Sequence, residues 1–370
     1  MYLHQNNNWP NFFWDNDTQV PYVSKVRDLQ GRLIGRMEGL GFKLREEAVL
    51  ETLTEDIVKT SAIEGEFLNP EEVRSSVARR LGIDISGLPD ASRDVEGVVE
   101  MMLDATQKYK DPLTKDRICG WHAALFPTGR SGMYKITVGE WRNDENGPMR
   151  VVSGPMGKEK VHYIAPEADR LEVEMNRFIQ WFNTDNSMEP VIKSAIAHVR
   201  FVSIHPFDDG NGRIARAIAD TQLARADRTN QRFYSMSAQI MESRKEYYAI
   251  LESTQKGSLD VSQWLVWYFE RFAEALETTD ETLSKVLIKA KFWEIHKTTQ
   301  LNERQVKMIN ILLGEFTGKL HSSKWAKMTK VHRDTARRDI QDLIEKGILS
   351  DSGERGRSTN YILNLPNLKT

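Results

Sequence analysis

The sequence predicts a mainly α-helical protein with a small β-hairpin and a separate C-terminal domain. Two apolar stretches with helical spacing, residues 195–204 and 214–226, flank a short Gly-containing loop. Three further helical patterns follow residue 300 and precede two short strands around a Gly-rich turn. At 370 residues the chain is too long for one small core, so we expect two or three domains.

The first 110 residues are expected to form a helical extension. Its opening segment is rich in aromatic residues, which we expect to pack on the core or on a partner copy: Tyr2, Trp9, Phe12, Phe13, Trp14 and Tyr22. Apolar residues at helical spacing then predict a helix over about 45–65 that stops at Gly65. Asn69 as N-cap and Pro70 at the first helical position predict that the next helix starts there.

The run HPFDDGNGRIAR, from His205 to Arg216, holds a titratable base, two carboxylates, a Gly-Asn-Gly turn and two arginines. The flanking patterns make it a loop that leads into a helix N-terminus, where free N–H groups and the helix dipole attract anions. Arg213 and Arg216 share one face of the first turn and could both reach one phosphate chain. Asp209 suits Mg²⁺, which binds one or two carboxylates plus phosphate oxygens. The run therefore predicts a site for a nucleoside polyphosphate, with His205 as a general base.

This string resembles the signature of the Fic family, H-x-F-x-[DE]-G-N-G-R-x-x-R, at every specified position. The likeness is to protein adenylyltransferases with an N-terminal inhibitory helix and a C-terminal winged helix. It implies a Fic-type helical core and transfer of AMP from ATP to a hydroxyl side chain of a target protein or of the enzyme itself. Each position of the signature then takes the role of its family counterpart: His205 as the base, Phe207 as the anchor of the loop, Asp209 as the Mg²⁺ ligand, Gly210, Asn211 and Gly212 as the anion hole around the α- and β-phosphates, Arg213 at the β-phosphate and Arg216 at the γ-phosphate.

A second motif lies at the end of the predicted helix 45–65. Thr60, Glu64 and Gly65 resemble the family's inhibitory motif [ST]-x-x-x-E-[GN]. The resemblance implies that Glu64 pairs with Arg216 and occupies the space that the γ-phosphate needs. The alternative is an ordinary exposed glutamate, which is disfavoured at a helix C-terminus by the dipole.

Two further regions of the catalytic domain are assigned by the same resemblance. Residues 151–164 read as two strands around Gly154–Gly157, which would be the flap that aligns a target segment by strand addition. Its residues at the active site would be Lys160, Val161, His162 and Tyr163. Tyr247 and Gln255, eight apart on one helix, match the positions that contact adenine, although they do not exclude UTP or GTP.

The C-terminal domain is predicted to be a winged helix-turn-helix over 301–370, after a helical linker over 276–300 that follows a catalytic domain over 111–275. Residues 301–370 contain 13 Lys+Arg and 8 Asp+Glu. Arg333, Arg337 and Arg338 on the recognition helix, with Arg355 and Arg357 in the wing, could contact DNA phosphates. Asp334, Asp339 and Asp342 dilute that charge, and winged helices also bind proteins.

The composition gives no sign of a membrane-spanning, secreted or disulfide-linked protein. No run of about 18 apolar residues is present, and the N-terminus lacks the pattern of a signal peptide. The single Cys119 excludes an intrachain disulfide and suits a reducing cytoplasm. We expect a cytoplasmic protein that is either a protein adenylyltransferase or a DNA-binding regulator whose Fic domain senses nucleotide, and the family resemblance implies that it forms a homodimer.

Overall fold

The computed structural model describes residues 1–83, 89–145, 147–155, 157–185, 187–313, 316, 318–351 and 360–365. The chain divides into two compact units, residues 1–279 and 280–370, and each is described by itself. The structure is mainly helical, as predicted, with short two-stranded sheets. Within the described residues, no helix has the length and apolarity to cross a membrane.

The first unit begins with short helix η1 (Leu3–Gln5) and has most of the helices. They are α1 (Asn16–Glu38), α2 (Phe42–Ile63), α3 (Pro70–Leu81), α4 (Arg93–Gln107), α5 (Lys115–Leu125), η2 (Ala168–Arg170), α6 (Leu171–Thr184), α7 (Pro190–Ile204), α8 (Asn211–Asp227), α9 (Met236–Glu242), α10 (Arg244–Gln255) and α11 (Ser262–Ile295), the last extending past residue 279. Its strands are β1 (Arg130–Ser131), β2 (Tyr134–Lys135), β3 (Arg150–Ser153) and β4 (Lys160–Ile164).

The junction between α2 and α3 follows the local signals in the sequence. Gly65 takes the left-handed conformation (φ 87°) after Glu64, the C-cap of α2. The Asn69 side chain then accepts a hydrogen bond from the Glu71 N–H at 2.9 Å, with Pro70 at the first helical position. These caps fix where α2 ends, and so where the side chains of residues 64–66 are presented.

Helices α7 and α8 form the centre of the first unit. Every residue of α7 after Pro190 is buried. The Ser194 hydroxyl donates to the Ala219 carbonyl of α8 at 2.9 Å, and the Trp264 indole donates to the Ala195 carbonyl at 2.9 Å. Because buried polar groups need partners, these bonds fix α8 and α11 against α7.

The aromatic N-terminal segment packs against this core within the same chain. The Tyr2 ring meets the edge of Tyr163, with ring centroids 5.2 Å apart. The Trp9 indole is buried and donates to Glu174 at 2.9 Å. The segment was expected to pack on the core or on a partner copy, and in the structure it packs on the core.

Strands β3 and β4 form the expected antiparallel hairpin. Val151 pairs with Tyr163 and Val152 with Val161, so His162 is an extra residue at a bulge. The bulge turns the His162 side chain toward α10, where its Nδ1 lies 2.6 Å from the Glu252 carboxylate. The hairpin is thereby attached to the helical core through β4.

In the second unit, helices α12 (Glu303–Leu312), α13 (Ser322–Thr329) and α14 (Arg333–Glu345) precede strands β5 (Leu349–Asp351) and β6 (Tyr361–Leu363), which pair antiparallel. Trp325, Ile340 and Leu343 are at the centre of its own apolar core. Arg355 and Arg357 of the predicted wing lie outside the described residues.

Candidate active site

The loop between α7 and α8 holds His205 at the start of the site. His205 is the C-cap of α7 and has a left-handed backbone (φ 52°, ψ 59°). Its Nδ1 lies 3.1 Å from the Val202 carbonyl oxygen, which can only accept, so Nδ1 carries the proton and Nε2 is the free base. Burial lowers the pKa of His205 to about 4, which keeps the ring neutral near pH 7.

Arg142, which the sequence analysis did not identify, fixes the backbone of His205. Its Nε donates to the His205 carbonyl oxygen and its N–H to the Pro206 carbonyl oxygen, both at 2.9 Å. The guanidinium is buried and also bonds Asp144 at 2.8 Å. No local pattern around residue 142 signals this role, because the contact joins segments 63 residues apart.

The middle of the loop is stabilised from within. Phe207 is fully buried and stacks on His122, with ring centroids 4.0 Å apart and planes 4° from parallel. The Asn211 side chain bonds both backbone polar groups of Phe207. Its Oδ1 accepts from the Phe207 N–H at 3.0 Å, and its Nδ2 donates to the Phe207 carbonyl at 2.8 Å. The Asn211 amide is therefore used within the loop, so the contribution of Asn211 to the predicted anion hole falls to its backbone N–H.

The N-terminus of α8 has no side-chain cap among the described residues. Gly210 is its N-cap at φ 80°. A Cβ at Gly210 would lie 2.9 Å from the Phe126 ring, so glycine is required there for both conformation and space. Arg213 and Arg216 extend from this first turn, and each is 2% exposed.

Asp209 is the carboxylate that the sequence predicts as the Mg²⁺ ligand. The Asp209 carboxylate accepts from the Ser131 hydroxyl and, at 2.6 Å, from the Gly210 N–H. The described residues hold no cluster of three or more metal-ligating side chains. One partly exposed carboxylate beside an anion site nevertheless fits Mg²⁺, whose remaining ligands are phosphate oxygens and water.

Glu64 reaches this site from the end of α2. Its Oε1 lies 2.8 Å from the Arg216 guanidinium, and its Oε2 accepts from the Tyr248 hydroxyl at 3.1 Å. Arg216 also donates to the Thr60 hydroxyl (2.7 Å) and the Thr60 carbonyl (2.8 Å). A Cβ at Gly212 would overlap Glu64 Oε1, so the carboxylate lies directly over the first turn of α8.

The residues expected at the base pocket are buried. Tyr247 is 1% exposed and its hydroxyl bonds His198 Nε2 at 2.9 Å, so an adenine cannot stack on its ring as the side chains stand. Gln255 lies behind His205, with Nε2 3.4 Å from the Val202 carbonyl. Tyr248, the next residue on α10, is the ring that is 40% exposed and contacts Glu64. Helical spacing alone did not separate these two tyrosines.

The flap residues divide into an outer and an inner set. Lys160 is exposed, and His162 is held between the Ser153 hydroxyl and Glu252, each at 2.6 Å. Val161 is partly exposed on the same strand. Tyr163 is fully buried and donates to the Ser203 carbonyl at 2.6 Å, so its expected place on the target-facing side is corrected.

These features define a helical protein with an anion-binding helix N-terminus next to a neutral histidine. In a comparison with known proteins, residues 112–223 match the family model described as Fic/DOC family. Residues 2–83 match a domain of unknown function, DUF4172.

The chain is also similar to named relatives and to solved structures. The chain is similar to proteins named protein adenylyltransferase Fic from Drosophila ananassae (28% identical over 213 residues, 56% of this chain) and Culex quinquefasciatus (26% over 216 residues, 58% of this chain). It covers 38% and 39% of their respective lengths. A Fic family protein from Desulfovibrio desulfuricans shares the fold, with a TM-score of 0.56, 20% identity and 96% and 98% of the two chains covered. A Fic domain containing signaling protein from Bacteroides thetaiotaomicron has a similar fold, with a TM-score of 0.51 and 20% sequence identity. The match covers 69% of this chain and 93% of that chain.

Proposed function

We propose that this chain is a protein adenylyltransferase that transfers AMP from ATP to Ser, Thr or Tyr hydroxyls of target proteins and of itself. The observation that carries the proposal is the joint geometry of the α7–α8 loop: a neutral His205 with a free Nε2, an open helix N-terminus and two arginines one turn apart. The names of the relatives support the same reaction.

The reaction assigns each bond to a group on this chain. The target hydroxyl oxygen attacks the α-phosphorus, its proton passes to His205 Nε2, and the bond from the α-phosphorus to the bridging oxygen breaks to release pyrophosphate. The N–H groups at the start of α8 and the Arg213 guanidinium bind the phosphates that carry the growing charge. Asp209 would hold Mg²⁺, which neutralises phosphate charge when bound.

Glu64 keeps the enzyme inactive in this proposal. Its carboxylate holds the Arg216 guanidinium and lies over Gly212, which is the space that the outermost phosphate of ATP would need. ATP could then bind only in a pose that is out of line for attack. The β3–β4 hairpin would align the target segment through Lys160, Val161 and His162.

The test is intact-mass analysis of the full chain incubated with ATP and Mg²⁺. We expect Glu64→Gly to gain AMP on a hydroxyl side chain and the Glu64→Gly/His205→Ala double variant to gain nothing. Unchanged activity of Glu64→Gly at saturating ATP would overturn the inhibitory role. No mass gain with ATP, UTP or GTP would overturn the transferase itself. Light scattering of the same samples tests the homodimer that the family likeness implies.

A second candidate function, DNA binding by the winged helix that we assign to the second unit, is favoured by the charges on α14. Arg333, Arg337 and Arg338 are exposed and pair with no other described residue. Asp339 faces inward, where Arg304 Nε and NH2 hold its carboxylate at 2.8 and 2.9 Å. Asp339 therefore does not reduce the positive charge of the exposed face of α14, contrary to the expectation from the sequence.

A gel-shift titration with random-sequence duplex DNA at physiological salt tests this second function. We expect Arg337→Ala/Arg338→Ala to weaken binding and to flatten its salt dependence, because each arginine that contacts a phosphate releases counterions. Incorporation of α-labelled ATP by the same variant should be unchanged. Equal binding by both proteins would remove α14 as the DNA-contacting element.

A further inference from the structure

A second carboxylate from the α2–α3 junction reaches the same face of α8. Glu66 Oε2 pairs with Arg213 NH1. Arg213 is otherwise packed under Phe126, with the guanidinium carbon 5.0 Å from the ring centroid, and its Nε has no partner in the described chain. Glu66 is thus the counterion of a buried guanidinium, a position that strongly favours occupation by some anion.

The backbone shows why one short segment reaches both arginines. After Glu64, Gly65 reverses the chain, and the Glu66 N–H bonds back to the Ser61 carbonyl at 3.1 Å. Glu64 and Glu66 therefore point to the same helix, and their partners Arg216 and Arg213 are one turn apart on it. Two carboxylates at this spacing occupy the places of two successive groups of a polyphosphate chain.

The two pairs differ in how firmly they are held. Glu64 has two partners, Arg216 and Tyr248, and its side chain is 27% exposed. Among the described residues Glu66 pairs with Arg213 alone, and its side chain is 47% exposed. Burial raises the pKa of the Glu66 carboxyl in spite of Arg213, so the charged form is held less favourably there than in water. A phosphate, with more charge and more acceptor oxygens, is a stronger partner for Arg213.

We propose that Glu66 is a second competing carboxylate, which any nucleotide with a β-phosphate must displace from Arg213. The inference rests on the proposed function in that it takes α8 to bind the phosphates of a nucleotide. It separates the two glutamates by ligand: Glu64 opposes a triphosphate only, whereas Glu66 opposes diphosphates and triphosphates alike. Glu66 thereby lowers the affinity for nucleoside diphosphates and triphosphates, and Glu64 controls the reactive pose of ATP.

Calorimetric titration of the full chain with AMP, ADP and ATP in the presence of Mg²⁺ tests this division. We expect Glu66→Gln to tighten binding of ADP and ATP by roughly tenfold and to leave AMP unchanged. Glu64→Gln should tighten the binding of ATP and should change the affinity for ADP by less than about twofold. Glu71→Gln, an exposed glutamate on the first turn of α3, is the matched control and should change none of them.

A double-variant cycle shows whether the effect passes through Arg213. In an Arg213→Gln background, Glu66→Gln should alter ADP affinity by less than twofold, since the competing pair no longer exists. ADP affinity unchanged by Glu66→Gln alone, or raised equally by Glu64→Gln, would overturn the inference. Because these are binding measurements, they stand apart from the proposed activity: tighter ADP binding with no AMP transfer by Glu64→Gly would reject the transferase and keep the role of Glu66.

Discussion

The loop from His205 to Gly212 and the segment from Thr60 to Glu66 form the two halves of the site, but they are held in different ways. The loop is fixed from within, since Asn211 bonds both polar groups of Phe207, and from behind, since Arg142 holds the His205 carbonyl. The segment is held by the pairs of Glu64 and Glu66 with arginines of α8 and by hydrogen bonds to the Thr60 and Ile63 carbonyls. Because the internal bonds of the loop do not involve Glu64, we expect the loop to keep its shape when that carboxylate is removed.

The largest expected effect comes from breaking the loop itself. Asn211→Ala leaves the buried N–H and C=O of Phe207 without partners, at about 1–3 kcal/mol for each group. In a Glu64→Gly background we expect AMP transfer to fall by about 100-fold or more, as His205 and the anion site lose their relative positions. Single-turnover labelling measures the loss, and Asn176→Ala on the exposed face of α6 is the control. Near-normal transfer by Asn211→Ala would mean that the loop does not depend on its internal bonds.

The next effect tests the contact between the halves. Gly212→Ala places a Cβ where Glu64 Oε1 lies, so the flexible Glu64 side chain must swing away and lose its charged bond to Arg216, at about 1–3 kcal/mol of unfolding free energy. In a Glu64→Gly background the same change should cost much less, because the clashing atom is gone. Urea unfolding of the four proteins gives the coupling directly. Equal costs in the two backgrounds would place the clash elsewhere.

A smaller effect comes from loosening the segment without removing its carboxylate. Thr60→Val deletes the hydroxyl that accepts from Arg216 Nε, and we expect AMP transfer to rise a few-fold, well below the rise caused by Glu64→Gly. Thr54→Val on the same helix is the matched control, because the Thr54 hydroxyl donates to the Leu50 carbonyl of its own helix at 2.7 Å and contacts no arginine of α8 in the described part of the chain. A rise as large as that of Glu64→Gly would assign the restraint to Thr60 instead.

The smallest effect concerns pH. The pKa of His205 is lowered to about 4 by burial, so the neutral base is fully present above pH 6 and is lost only as the pH falls toward 4. Transfer by Glu64→Gly at saturating ATP should change by less than about twofold between pH 8 and pH 6. A histidine with the ordinary pKa of 6.5 would lose about fourfold over that range. A rate profile that bends near 6.5 would show that the base is solvated as in free histidine.

Local signals predicted the parts of the site that lie within one stretch of chain. The Gly210 turn, the start of α8 and the caps around Gly65, Asn69 and Pro70 are dictated by residues within a few positions of each other. The pairing of Glu64 with Arg216 lay beyond any local pattern, and it was predicted only through the family resemblance.

Contacts between distant segments account for what was missed. Glu66 meets Arg213 across 147 positions, and no spacing rule identifies such a pair. On α10, periodicity placed Tyr247 and Gln255 on one face but could not tell that His198 covers this face. Packing in three dimensions decided that the neighbouring Tyr248 is the exposed ring.

Glu64 is also the residue at which α2 stops. Helix ends open and close more easily than the body of a folded protein, because only the bonds of a single turn are broken. Under the proposed inhibitory role, the restraint depends on the local stability of the α2 C-terminus, whereas the loop is held by hydrogen bonds within the core. AMP transfer by the unmodified chain should then rise on warming at temperatures below that at which the protein unfolds.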